Sequence, residues 1–178
     1  MNTIFIGDSI PYQLLQAGFF PDAINKCVSG ETPQEMSAHF TSDVIDPFSS
    51  RLYIGCGTNA VATDADKLAS AATIRDRALE ARARGIEVML GNIPPRAWDI
   101  SLFIDTLAGY ATQYGFLLVD VYTPFLLPNG QMDTGLFESD NTHPNGPGRC
   151  VYAAQITPII ASLNKQQTAR SHFILEMA

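Results

Sequence analysis

The chain has 178 residues, enough for one domain with a real core, and 46% are apolar against 16% charged. That composition excludes an intrinsically disordered chain. Eleven Lys and Arg against 18 Asp and Glu leave a net charge of -7, which helps solubility and, without a dense basic patch, argues against nucleic acid as a partner.

Thr3 to Ile6 is a short apolar run that predicts a buried strand, ended by Gly7-Asp8-Ser9. A serine at a strand-to-helix turn projects its hydroxyl from the end of a sheet. Serine hydrolases present their nucleophile this way, although the G-x-S-x-G elbow is absent; the alternative is an ordinary turn. The amino terminus starts directly on a strand without a basic leader, which points to a cytoplasmic protein. No apolar run is long enough to span a bilayer, so no membrane partner is expected. Cys27, Cys56 and Cys150 stand in no tight metal-ligand spacing. A reduced protein is the simplest reading, with one disulfide as the alternative.

Ile10 to Phe20 predicts a short helix ending near Gly18, with Pro11 in its first turn. Ala23 to Asn25 predicts a short strand, followed by a turn through Cys27, Ser29 and Gly30. Thr32-Pro33-Gln34-Glu35 is a helix start with a capping box, and that helix ends around His39 to Thr41. Arg51 to Cys56 predicts a strand running into Gly57-Thr58-Asn59. Asp64 or Asp66 opens the next helix, whose stripe of Ala71, Ile74, Ala78 and Ala81 is widened by Leu68 and Leu79 and stopped by Gly85. Ile86 to Leu90 predicts a strand. Phe103, Leu107, Tyr110 and Tyr114 place a helix over Ser101 to Tyr114, ended by Gly115, before a strand over Phe116 to Val119. Asp120 to Pro144 reads as loops. A last helix runs from Gly146 or Gly148 to Leu163, kinked or split by Pro158.

Strands alternating with helices predict a parallel sheet covered on both faces, with ligands beyond the carboxyl ends of the strands. The domain is expected to span 1–164. The tail, 165–178, closes on HFILEM, an apolar patch that must dock on its own subunit or on a second copy, the latter giving a homodimer.

Asp140 and His143 lie three apart in a loop. A carboxylate placed on one imidazole nitrogen fixes the tautomer and leaves the other free to act as a base. The alternative is a structural His-Asp contact. Asn59 can donate its amide to a developing oxyanion together with main-chain N–H groups at Ser9 and Gly30, or it can simply hold its own turn. His39 and His172 have no spacing that joins His143 in a ligand pattern, so no metal and no cofactor are expected.

Four blocks in order resemble the SGNH hydrolases, also called the GDSL esterases and lipases. They are Gly7-Asp8-Ser9, Asn25 to Gly30 (NKCVSG), Gly55-Cys56-Gly57-Thr58-Asn59, and Asp140-Asn141-Thr142-His143-Pro144-Asn145 followed by Gly148. The resemblance implies an α/β fold, a three-layer α/β/α sandwich with a central parallel sheet of about five strands and flavodoxin-like topology. It implies an ester hydrolase in which Ser9 attacks, His143 takes the proton and Asp140 orients His143. The Ser9 and Gly30 N–H groups and the Asn59 amide would hold the oxyanion, and water would release the acyl-enzyme. Ile10 stands where leucine is usual, Ala60 where aspartate is common, and Asn141-Thr142 where glycine and an apolar residue are common. Asn141 suits a turn because asparagine tolerates positive φ.

Members of that family act on lipids, thioesters, aryl esters and acetylated sugars. Arg96, Trp98, Tyr122, Phe125 and Phe137 are the expected substrate wall, because they lie in loops near the sheet edge. Trp98 either stacks on a sugar or anchors its own loop. No long apolar insertion suggests a lipase lid, so a small or carbohydrate (acetyl) ester is preferred. The alternatives are an inactive or acyl-transferring relative that binds glycans, and a flavodoxin-like binder cradling phosphate at Gly7-Asp8-Ser9.

Overall fold

The computed structural model describes residues 3–47 and 49–176, with side chains described as far as residue 166. The described strands form one parallel sheet: β1 (Thr3–Gly7), β2 (Ile24–Asn25), β3 (Arg51–Gly55), β4 (Glu87–Gly91) and β5 (Leu117–Val119). Their spatial order is β2-β1-β3-β4-β5. The helices are α1 (Ser9–Gln16), α2 (Pro33–Phe40), α3 (Asp64–Ala83), α4 (Ser101–Tyr114) and α5 (Gly146–Glu176). A π-helical turn over Thr41–Ile45 prolongs α2.

The strands are apolar throughout because both faces are covered. Ile4, Ile6, Leu52, Ile54, Val88 and Leu90 face a core built with Met36, Phe40, Ile74, Phe103 and Leu107 from α2, α3 and α4. The residues between them, Phe5, Tyr53 and Met89, face a second core with Leu14 of α1 and Tyr152 and Ile156 of α5. Burying one such side chain fully contributes about 1.5 to 3 kcal/mol, so two filled layers fix the strand register. At the heart of the second core the Tyr53 and Tyr152 hydroxyls bond to each other at 2.7 Å.

The helix ends follow local chemistry. Thr32 accepts from the Glu35 N–H and the Glu35 carboxylate accepts from the Thr32 N–H, the capping box expected for α2. Helix α3 opens at Asp64, one of the two expected positions, and its cap is Thr63, which accepts from the Asp66 N–H. The α3 stripe packs as predicted except at Leu68, which is exposed, while Leu79 packs on the core. Helix α4 has the predicted bounds, and Gly115 stops it at φ +69°. Helix α1 ends earlier than expected, at Gln16, two residues before the positive-φ Gly18.

Helix α5 continues to Glu176 where the sequence predicted an end at Leu163. Pro158 lies on its exposed face, where water can satisfy the carbonyl one turn back that loses its donor. The domain limit expected at residue 164 therefore falls inside α5. The docking expected of HFILEM concerns side chains outside the described residues. Cys27, Cys56 and Cys150 are all free thiols.

The order β2-β1-β3-β4-β5 puts the topological switch point between β1 and β3, and in open α/β sheets ligands bind beyond the carboxyl ends of the strands at such a point. Gly7 and Gly55 are register partners at that point. Gly7 has φ +152°, and a Cβ there would sit 2.0 Å from the Gly55 carbonyl oxygen. Only glycine lets the two strand ends close up this far.

Candidate active site

Asp8 leaves β1 and is almost wholly buried. Its Oδ1 accepts from the Ile10 N–H at 3.0 Å, which caps α1. Its Oδ2 accepts from the N–H groups of Gly57 at 3.2 Å and Thr58 at 3.0 Å. One carboxylate thus ties the turn after β1 to the turn after β3. Burial pushes the Asp8 pKa up, and these N–H donors pull it back only in part. Ser9 is the first residue of α1. Its own N–H belongs to the first turn, which has no intrahelical acceptor.

Ser9 Oγ lies 2.9 Å from His143 Nε2, across 134 residues of sequence. His143 Nδ1 lies 2.6 Å from Asp140 Oδ2. The other Asp140 oxygen accepts from the main-chain N–H of Thr142 at 2.8 Å and of His143 at 3.0 Å. Those N–H donors and the imidazole contact, which is the largest influence, hold the Asp140 pKa down at about 2. An ionised Asp140 fixes the proton on Nδ1, so the Nε2 lone pair faces the serine hydroxyl and the Ser9 O–H donates to it. Asn141 makes the intervening turn at φ +52°. Asn145 frames the loop: its amide donates to the carbonyls of Gly135 and Phe137, and its oxygen accepts from the Gly148 N–H.

Asn59 is exposed beyond β3. Its Nδ2 donates to the Glu31 carbonyl at 3.0 Å, and a side-chain amide carries two such hydrogens. Gly30, one residue before Glu31, is exposed at φ +83°. The segment leading to it runs beside β1, with Lys26 N–H donating to Phe5 and Val28 N–H donating to Gly7.

The expected substrate wall is corrected in part. Phe125 and Phe137 are buried in the second core, with ring centroids 5.3 Å apart. They support the loop that carries His143 rather than line a surface. Tyr122 is half-buried and packs on the first core. Trp98 is 44% exposed. Its indole N–H donates to the Val61 carbonyl at 3.2 Å, so it anchors its loop while keeping a free face. The Arg96 guanidinium lies 4.8 Å from the centroid of that ring. Burial lowers the Arg96 pKa, and the charges of Asp8 and Asp140 oppose that shift.

Two participants escaped the sequence reading. Asp8 was legible only as part of a turn, although a charged residue directly after a buried strand needs buried donors. Glu31 was not singled out, although it follows Gly30 and precedes His39 by eight residues. Among the described residues, no group of three or more His, Cys, Asp or Glu is placed to hold a metal ion. No described helix is long and apolar enough to cross a membrane.

The fold and the geometry define a class: a doubly wound α/β domain with a serine, an imidazole and a carboxylate bonded in series at the switch point of its sheet. No family model matches the chain, and no curated protein matches it. Solved structures do. A GDSL-like lipase from Bacteroides thetaiotaomicron VPI-5482 superposes with a TM-score of 0.82 at 23% identity, over 91% of this chain and 88% of that one. A lipase/acylhydrolase from Enterococcus faecalis gives 0.72 at 17%, over 90% and 95%. A catalytic mutant of an acetylxylan esterase from Geobacillus stearothermophilus gives 0.69 at 20%, over 87% and 91%. The chain has the fold of these GDSL-type hydrolases.

Proposed function

We propose that this protein is a serine esterase working through an acyl-enzyme. The observation that carries the reading is the hydrogen-bonded series Ser9–His143–Asp140 at the carboxyl edge of the sheet. Ser9 Oγ attacks the ester carbonyl as His143 Nε2 takes its proton. Asp140, ionised, steadies the imidazolium that forms. The oxyanion is met by the Ser9 N–H at the start of α1, the Gly30 N–H and the second Asn59 amide hydrogen, all preorganised before charge appears. His143 then returns the proton to the leaving alcohol. Water, deprotonated by the same imidazole, releases the acid.

The substrate is a small or carbohydrate ester, with acetyl as the acyl group. The partly exposed Trp98 supports this choice, because an aromatic surface suits a sugar ring. The likeness to an acetylxylan esterase supports the same class. Treating the folded protein with a fluorophosphonate and weighing it intact tests the reading. One adduct, mapped to Ser9 and absent in Ser9→Ala, is expected. Labelling elsewhere, or none, refutes it.

A further inference from the structure

Glu31 links the oxyanion donors to a charged network on the far side of its own peptide. Its main-chain carbonyl accepts the Asn59 amide at 3.0 Å and the Cys56 thiol at 3.8 Å. Its side chain is only 5% exposed and points to α2, where Oε1 lies 2.5 Å from His39 Nε2. His39 Nδ1 lies 2.7 Å from Asp43 Oδ2. The other Asp43 oxygen accepts from Lys26 Nζ at 2.9 Å. The series Lys26–Asp43–His39–Glu31 therefore closes a ring from the end of β2, through α2 and its π-turn, back to the residue after Gly30.

Both imidazole nitrogens of His39 face carboxylates. A neutral ring has one N–H and would turn a lone pair on one of them; only the imidazolium donates to both. Burial pulls the His39 pKa down, but the bonds to Glu31 and Asp43 and their charges outweigh it and leave the pKa raised above its ordinary 6.5. Lys26 stands behind Asp43, and Glu35, whose charge reaches Glu31, is itself held by Thr32. The Glu31 carboxyl is raised by burial, against the pull of His39.

We propose that His39 is a positioning residue for the oxyanion donors: as an imidazolium it clamps Glu31, and losing its proton frees the Glu31 peptide together with Gly30 and Asn59. The proposal rests on the esterase reading for the role of those donors. The sign follows from the raised pKa. The clamp is fully present below the ordinary imidazole value and is lost as pH rises through the folded one. His39 must be charged for the clamp to hold, so kcat has an alkaline limb from His39.

The test combines NMR of the full chain with kinetics on 4-nitrophenyl acetate over the same pH range. His39 is expected to titrate above 6.5, and the Gly30 N–H and Asn59 side-chain resonances to move with the same midpoint. Through that midpoint kcat should fall towards an alkaline plateau about 100-fold lower, the scale of losing an oxyanion donor, with KM little changed. His39→Gln should have lower kcat at neutral pH and no alkaline limb. Glu31→Gln offers an amide donor to the neutral ring and should also lose the alkaline limb. His39 titrating at or below its ordinary value overturns the proposal. So do Gly30 and Asn59 resonances that ignore its titration, or His39→Gln keeping the native alkaline limb. Coincident NMR midpoints without any ester turnover would support the clamp and refute the esterase reading.

Discussion

Asn59 has one amide hydrogen committed to Glu31 and one left to give. Replacing Asn59 by Ala should lower kcat on the order of 100-fold with little change in KM, because the lost donor acts only on charge that develops in the transition state. Steady-state kinetics on 4-nitrophenyl acetate measure this, and a near-native circular dichroism spectrum confirms that the variant folds. Asp140, with its pKa held near 2 by the His143 contact and main-chain donors, should keep that contact until pH falls well below the ordinary carboxylate value of about 3.9. The reacting residues were legible in sequence because each sits in a short string that fixes its own turn. Asp140 reaches His143 across two intervening residues, of which Asn141 supplies the positive φ. Phe125 and Phe137 were misplaced for the opposite reason. Nothing local in the loop-rich stretch from Asp120 to Pro144 says which ring is buried; packing against the second core decides it.

At the scale of elements, capping chemistry carried most of the legible signal. The Thr32–Glu35 box of α2 was visible as four consecutive residues, and it forms as written. Thr32→Ala should cost about 1 kcal/mol of stability, read as a lower midpoint of urea unfolding at unchanged slope. Because α2 carries His39, the same variant also tests whether the start of that helix is held independently of its end. The extent of α5 was not legible. A proline inside a helical pattern signals a break, but exposure on one face of the helix is a tertiary fact, and it is what lets α5 pass Pro158.

For the whole molecule, the alternation of strands and helices was enough to predict a covered parallel sheet. The strand order was implied only by resemblance, because pairing between distant strands leaves no periodic trace in any one of them. The Tyr53–Tyr152 contact joins the central strand β3 to α5 through the second core. Tyr53→Phe leaves the Tyr152 hydroxyl buried without that partner and should cost about 1 to 3 kcal/mol. Adding Tyr152→Phe should recover part of the loss, and a double-mutant cycle by urea unfolding measures the coupling.

Ser9 and His143 are separated by 134 residues, with β2, β3, β4 and β5 between them. Chain synthesis therefore delivers the attacking hydroxyl first and its base near the end. A nascent chain still short of the His143 loop has the five strands in its sequence but lacks α5, whose Tyr152 and Ile156 cover one face of the sheet. The same holds on dilution from denaturant: the return of ester cleavage marks the moment when the two ends of the domain meet, later than the return of strand or helix signal. On the proposed mechanism, a chain terminated before His143 is expected to cleave no ester.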